Sequence, residues 1–169
     1  NNAGLALGFS SIAEGNYEDW NTMLDTNVKG LLYVSREITP RMIQQGFGHI
    51  VNISSTAGKD VYPQGNVYCA SKHAVDALTK SMRIDLLPHG IKVTSINPGA
   101  CETEFSLVRY KGDEEKAKKV YEGFTPLQPE NIADAIFYAC QLPAHVCIND
   151  LTLTCITQAN AHYTFKKKD

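Results

Sequence analysis

No run of apolar residues in this sequence approaches the ~20 that a membrane-spanning helix needs, and no charged-then-apolar segment opens it. Surplus positive charge is missing as well. Sixteen Lys and Arg stand against eighteen Asp and Glu, for a formal net charge of −2. So balanced a chain has few cations to spare for a phosphate backbone, which argues against nucleic-acid binding. The only basic run, Lys166 to Lys168, is short and reads as solvated. Metal-ligand spacing is also absent. The five cysteines, at 69, 101, 140, 147 and 155, form no Cys-x-x-Cys pair and have no histidine at ligand spacing. No metal site is expected, and an odd number of reduced thiols points to a cytoplasmic protein. The five His residues show no pairing. The sequence does not begin with Met, and its first residues, "NNAG", are turn chemistry that ordinarily follows a strand. An upstream portion of the protein is therefore expected.

What is present is an ordinary globular composition: 169 residues, 43% apolar and 20% charged, enough for one domain with a substantial core. From Tyr17 to about Gln45, Trp20, Leu24, Val28, Leu31, Ile38 and Met42 recur at helical spacing, with Pro40 as a kink near the end. "HIVNIS", His49 to Ser54, is a short β-branched run that reads as a buried strand. A turn-rich loop follows, and then a second helix with Val67, Ala70, Ala74, Val75, Leu78, Met82 and Leu86 as its apolar stripe, ended by Pro88 and Gly90. "IKVTSI", Ile91 to Ile96, is another strand. A less regular stretch from Glu104 to Gly123 has a helical patch around Glu114 to Tyr121. Pro129 opens a last helix that buries Ile132, Ala133, Ile136 and Ala139, and "LTLTCIT", Leu151 to Thr157, reads as a closing strand. Strands alternating with helices predict a parallel α/β sheet covered on both faces, without an internal repeat or a linker.

In such a sheet, ligands bind beyond the carboxyl ends of the strands. "NNAG", the Ser54–Ser55 pair and "NPGA" all fall there. Tyr68 and Lys72 enter the same region from the start of the second long helix, and their i, i+4 spacing puts both on one side. A tyrosine ordinarily titrates near ~10, and a neighbouring ammonium favours its phenolate, bringing proton transfer toward the working pH. Ser55, thirteen residues before Tyr68, adds a hydroxyl that can bind the same substrate oxygen. An isolated helical Tyr, or a mid-helix Asn such as Asn27, would otherwise be a packing or surface residue. Cys69 and Cys101 lie beside the motifs and read as packing.

The order and spacing of "NNAG", Asn27 in "DTNVKG", "VNISS", "YCASK" and "NPGACET" resemble the short-chain dehydrogenase/reductase family. The resemblance runs through the whole of 1–169 but covers only the C-terminal two thirds of a single family domain. The N-terminal strand, its Gly-rich turn and the cofactor-selecting strand are not in this chain. The resemblance implies a Rossmann-like doubly wound parallel sheet and an NAD(P)-dependent oxidoreductase. Tyr68 would be the general acid or base. Lys72 would lower its pKa and bind the nicotinamide ribose. Ser55 would hold the substrate oxygen, and Asn27 would interrupt its helix slightly and hold a water that relays protons to Lys72. Asn2, Ala3 and Gly4 would line the adenosine side. Pro98, Gly99, Cys101 and Thr103 would meet the nicotinamide carboxamide.

"TEFSLVRYKGDEEKA", with "NNAGLALG" and "LPAHVCINDLTLTCITQ", is similar to one subgroup: NADP-dependent 3-hydroxy acid dehydrogenases acting on serine and allo-threonine. The resemblance implies NADP, with NAD as the alternative cofactor. Arg109 offers a planar fork for a substrate carboxylate, and Lys111 is a weaker candidate. Two alternatives stand beside this reading. One is a reductase of another carbonyl, a ketoacyl thioester or a neutral ketone; the other is a non-catalytic nucleotide-binding module. Leu32, Val34, Ile84 and Leu87 lie off the main apolar faces of the two long helices. Such a surplus suggests subunit pairing, and the family usually pairs through these helices as homodimers or homotetramers.

Overall fold

The computed structural model describes residues 1–167; Lys168, the end of the basic run, lies outside the described residues. The first helix, α1 (Tyr17–Leu24), is started by Asn16. The Asn16 side chain accepts hydrogen bonds from the backbone of Glu18 and Asp19, and those two acids sit in the first turn, where the helix dipole favours negative charge. The chain then widens into a π-helical segment, Asp25–Gly30, and tightens again as α2 (Leu31–Gln45). Gly46, at φ 76°, closes α2 in the left-handed conformation that only glycine adopts freely.

Strand β1 (Gly48–Ile53) leads through a 3-10 turn (Thr56–Gly58) into α3 (Asn66–Leu86). A second 3-10 turn, Leu87–His89, carries Pro88, and Gly90 at φ 67° then reverses the chain into β2 (Ile91–Pro98). Two short helices follow, α4 (Phe105–Arg109) and α5 (Glu114–Lys119). Helix α6 (Pro129–Gln141) has its proline at the first helical positions and a reciprocal capping box between Gln128 and Asn131. Strand β3 (Asp150–Leu153) is the last among the described residues.

The three strands form a parallel sheet in the order β1-β2-β3, with Ile50 opposite Val93 and Ile96 opposite Leu151. β2, flanked on both sides, is the most deeply buried, and Val93 and Ile96 are fully inaccessible. Two apolar clusters lie at opposite ends of this frame. Ile50, Leu86, Ile91 and Val93 pack with Met42 and Met82 at the start of the strands. Ala6, Met23, Ala57, Tyr68 and Cys69 pack with Trp20, Tyr62 and Phe105 beyond their carboxyl ends. Lys59 ties the loop after β1 to the rest by bridging Asp76 of α3 and Asp150 of β3 at 2.5 Å each.

The closing strand is shorter than Leu151 to Thr157. Its partner β2 ends at Pro98, and the last ladder bond runs from the Gly99 amide to the Leu153 carbonyl, so the residues beyond have no strand to pair with. The buried faces of the long helices also differ from the apolar stripes. Met23, Asn27, Leu31 and Ser35 face inward from the α1–α2 rod, whereas Leu24 and Ile38 are exposed. The π-helical widening shifts the phase between the two halves, which a period of 3.6 cannot anticipate. In α3 the inward line runs through Tyr68, Ser71, Lys72, Val75 and Thr79, while Ala70 is exposed and Val67, Ala74 and Leu78 are only half-buried. Leu32, Val34, Ile84 and Leu87 do lie on the outside.

Candidate active site

One cavity of about 1040 Å³ opens beyond the carboxyl ends of β1 and β2. Ser55, Tyr68, Lys72 and Arg109 line it, together with Asn2 and Gly4 from the first segment and Pro98, Gly99, Cys101 and Thr103 from the turn after β2. Ala3 is exposed and outside it, and Asn27 is buried behind Leu5. Sequence reasoning missed Tyr62, Phe105, Tyr121 and Gln158, all on the cavity wall. They are brought in from separate segments, with no shared spacing to betray them.

Ser55 caps the 3-10 turn: its hydroxyl accepts from the Ala57 amide at 3.0 Å and reaches the Pro98 carbonyl at 3.4 Å. Lys72 is buried, and its ammonium donates to the Ile53 carbonyl at 3.0 Å. Desolvation brings the Lys72 pKa down from 10.5 to about 8. Burial also acts on Tyr68, where it raises the phenol pKa above its ordinary value, and the Ser55 hydroxyl and the Arg109 charge pull it back. The Lys72 ammonium lies 6.0 Å from the Tyr68 ring centre.

Asn27 is buried, and its side chain is held by protein partners. Its carbonyl oxygen accepts from the Leu5 amide at 2.9 Å, and its amide donates to the Leu5 carbonyl at 2.8 Å and to the Ser71 hydroxyl at 3.0 Å. The side chain thus joins the π-helical segment to the first loop and to α3.

Arg109 sits at the end of α4 among four aromatic rings. Its guanidinium centre is 4.9 Å from the Tyr68 ring, 5.0 Å from Phe105, 5.6 Å from Tyr62 and 5.8 Å from Phe9. Nη2 donates to the Tyr62 hydroxyl at 2.6 Å, and Nε is buried with no partner among the described residues. Lys111 is taken up by Asp19 at 2.8 Å and does not line the cavity. The α4–α5 segment is fastened over the site by Tyr121, whose hydroxyl donates to the Cys101 carbonyl at 2.9 Å and accepts from Ser106 at 2.8 Å.

The sequence profile described as short chain dehydrogenase matches residues 1–113. This chain belongs to that family. It is 49% identical over 162 residues to an NADP-dependent 3-hydroxy acid dehydrogenase YdfG of Salmonella typhi, covering 95% of this chain and 65% of that protein. It is 46% identical over 160 residues to sulfoacetaldehyde reductase 2 of Chromohalobacter salexigens, covering 94% of this chain and 64% of the relative. The chain thus spans about 65% of the length of the curated relatives it matches. Among solved structures, the closed form of a serine dehydrogenase complexed with NADP+ superposes with a TM-score of 0.93 at 45% identity, covering 99% of this chain and 68% of that one. The fold is the Rossmann-like α/β fold of the family.

The burial of Lys72 has a cost that depends on pH. Below pH 8 the folded chain must hold an ammonium that burial disfavours, so the penalty is fully present there. Between about 8 and 10.5 the unfolded chain binds more protons than the folded one, so stability rises with pH and the penalty fades. Lys72→Met should therefore stabilise the protein at pH 7 by roughly 1–3 kcal/mol and give little advantage near pH 10.5. Denaturant unfolding at the two pH values measures both.

Proposed function

We propose that this chain is the substrate-side part of an oxidoreductase that moves hydride between NADP and a small 3-hydroxy acid such as serine or allo-threonine. The observation that carries this reading is the convergence of Ser55, Tyr68 and the Arg109 guanidinium on one cavity. When bound, the nicotinamide cofactor supplies or accepts the hydride. The residues fit its nicotinamide end: the Lys72 ammonium has three hydrogens and, among the described residues, one partner, Ile53, which leaves donors for ribose hydroxyls. The Pro98–Cys101 turn borders the same space, where Gly99, Cys101 and Thr103 would meet the carboxamide, with Asn2, Ala3 and Gly4 on the adenosine side. The naming of NADP in both the dehydrogenase relative and the serine dehydrogenase structure supports NADP over NAD.

Tyr68 gives its proton to the substrate oxygen in reduction and takes it back in oxidation. Ser55 hydrogen-bonds that oxygen and stabilises the charge that develops on it. Asn27 holds the first loop against α3 and a water that relays protons to Lys72, and the Lys72 ammonium lowers the pKa of Tyr68. Arg109 takes the acid group of the substrate through Nη1 and the second hydrogen of Nη2, since Nε is shielded and one Nη2 hydrogen goes to Tyr62. The sulfoacetaldehyde reductase relative supports an anion-binding cation, because the compound in its name carries a sulfonate beside the carbonyl.

The exposed Leu32, Val34, Ile84 and Leu87 support homodimers or homotetramers built through α2 and α3. Five free cysteines support a cytoplasmic location.

Tyr68→Phe in the full-length protein should fold normally and lose turnover of serine and 3-hydroxybutyrate by roughly two orders of magnitude or more. Retention of most of the activity in a pH-controlled assay would return Tyr68 to a packing role. Arg109→Ala should lower kcat/KM for these acids by about one to two orders of magnitude, as loss of a charge-assisted hydrogen bond of roughly 1.5–3 kcal/mol implies. Neutral alcohols, each compared on its pH plateau, should lose far less; equal losses would favour the general carbonyl reductase. In sedimentation at micromolar concentration the full-length protein should run as a dimer or tetramer, and a monomer would contradict the pairing of α2 and α3.

A further inference from the structure

We infer that Gln158 is a positioning residue for the cofactor: its side-chain amide orients the turn after β2, and through that turn the nicotinamide carboxamide. The inference rests on the reading of the Pro98–Cys101 turn as the neighbour of that carboxamide. Gln158 comes from the loop after β3 and sits on the cavity wall, only 8% exposed. Its Oε1 accepts from the Ala100 amide at 2.8 Å, and its Nε2 donates to the Asn160 carbonyl at 3.0 Å. These partners fix which way the side-chain amide faces, because a backbone N–H needs an acceptor and a carbonyl needs a donor.

Both ends of the connection are anchored. Asn160 belongs to a loop closed on itself: its Oδ1 accepts from the His162 and Tyr163 amides at 2.9 and 2.8 Å, and the Ala159 amide donates to the Tyr163 carbonyl at 3.0 Å. On the side of the turn, the Gly99 amide donates to the Leu153 carbonyl at 2.7 Å and the Ala100 carbonyl accepts from the Leu127 amide at 2.9 Å. The Ala100 amide lies between those two bonds, and its partner among the described residues is the Gln158 side chain. Gly99 shows how close the approach is. A Cβ there would run into the Gln158 amide oxygen and come within 3.1 Å of the Thr154 methyl group. Its φ lies outside the left-handed region, so the missing side chain serves space and not backbone conformation.

The glycine of "NPGA" and the glutamine of "CITQ" thus act as one unit assembled from two distant segments. A side chain that merely filled the space beside Gly99 would need no amide, whereas Gln158 uses both of its polar atoms, one on each segment. Hydrogen bonds to a planar carboxamide depend on direction, so the backbone that meets it has to keep its orientation. A tilt of the Ala100 peptide costs binding at the nicotinamide end and leaves the adenosine end unaffected.

The test compares two ligands of the full-length protein by calorimetry: NADPH, and phospho-ADP-ribose, which is the same molecule without its nicotinamide ring. Gln158→Met keeps the length of the side chain and removes both hydrogen-bonding atoms. It should weaken NADPH about tenfold, as expected when a buried hydrogen bond loses its partner, and leave phospho-ADP-ribose bound as before. Gln158→Glu is the conservative variant. A protonated carboxyl offers the same acceptor and donor as the amide, and an ionised one offers no donor to Asn160. Its NADPH affinity relative to the unaltered protein should therefore fall as the pH rises from about 6 to 8, since burial raises a carboxyl pKa toward that range. The same ratio for phospho-ADP-ribose should stay flat. If the unaltered protein binds the two ligands equally, the nicotinamide does not meet this turn, and the reading of Pro98–Cys101 falls with the proposal. If it prefers NADPH and Gln158→Met keeps that preference, or loses both ligands equally, the proposal alone is overturned. Should Gln158→Met not fold, the Glu variant decides, and a flat NADPH ratio overturns the proposal.

Discussion

Lys72 carries its ammonium inward to the Ile53 carbonyl, with burial as the one force acting on its pKa, and much of the site is arranged around that placement. Helix α3 has to pack a polar line against the strand ends, so its neighbours must come close enough to satisfy it. Gly58 permits this: a Cβ there would stand 2.6 Å from the Ser54 hydroxyl and 2.7 Å from the Lys72 carbonyl oxygen. The turn that presents Ser55 therefore rides directly on the helix that presents Tyr68. Gly4 plays the same part on the other side, where a Cβ would lie 3.3 Å from the Lys72 ammonium. At Gly58 the neighbour is the backbone of α3 itself, so the spacing of the Ser55 turn and the helix is set by backbone contact.

The frame was legible because its signals are local. "HIVNIS" and "IKVTSI" are β-branched runs bounded by turn formers, and Pro88 with Gly90, or Pro129 at the start of α6, mark helix ends by their own backbone restrictions. The placement of Ser55, Tyr68 and Lys72 on one cavity was equally legible, since a fixed helical spacing and a strand end suffice to bring them together. The inward faces were not. Hydrophobic periodicity equates apolar with inward, but Asn27, Ser35, Ser71, Lys72 and Thr79 are buried by hydrogen bonding, while Leu24, Leu32 and Ile84 stay outside. The surroundings of Arg109 were hidden for another reason. Phe9, Tyr62 and Phe105 come from three separate segments, and no local pattern says that they meet around one guanidinium.

Electrostatically, the site divides its two cations by what surrounds them. Lys72 is buried against backbone, with its ammonium on the Ile53 carbonyl, and burial lowers its pKa to about 8. Arg109 is enclosed by rings, which soften the cost of burial through their faces without neutralising the charge.

The π-helical segment Asp25–Gly30 bears on how this protein can vary in length. Met23, Asn27, Leu31 and Ser35 face inward at intervals of four, a spacing that would wander off one side of a regular helix by roughly 40° at each step. The widened turn absorbs part of that drift. Removing a single residue from it would return the segment to regular winding and leave α2 facing nearly the same way, because six residues at the wide pitch turn through about the same angle as five at the ordinary one. The outward direction of Leu32 and Val34 therefore does not depend on the extra residue; what depends on it is local, the reach of Asn27 to Leu5 and Ser71.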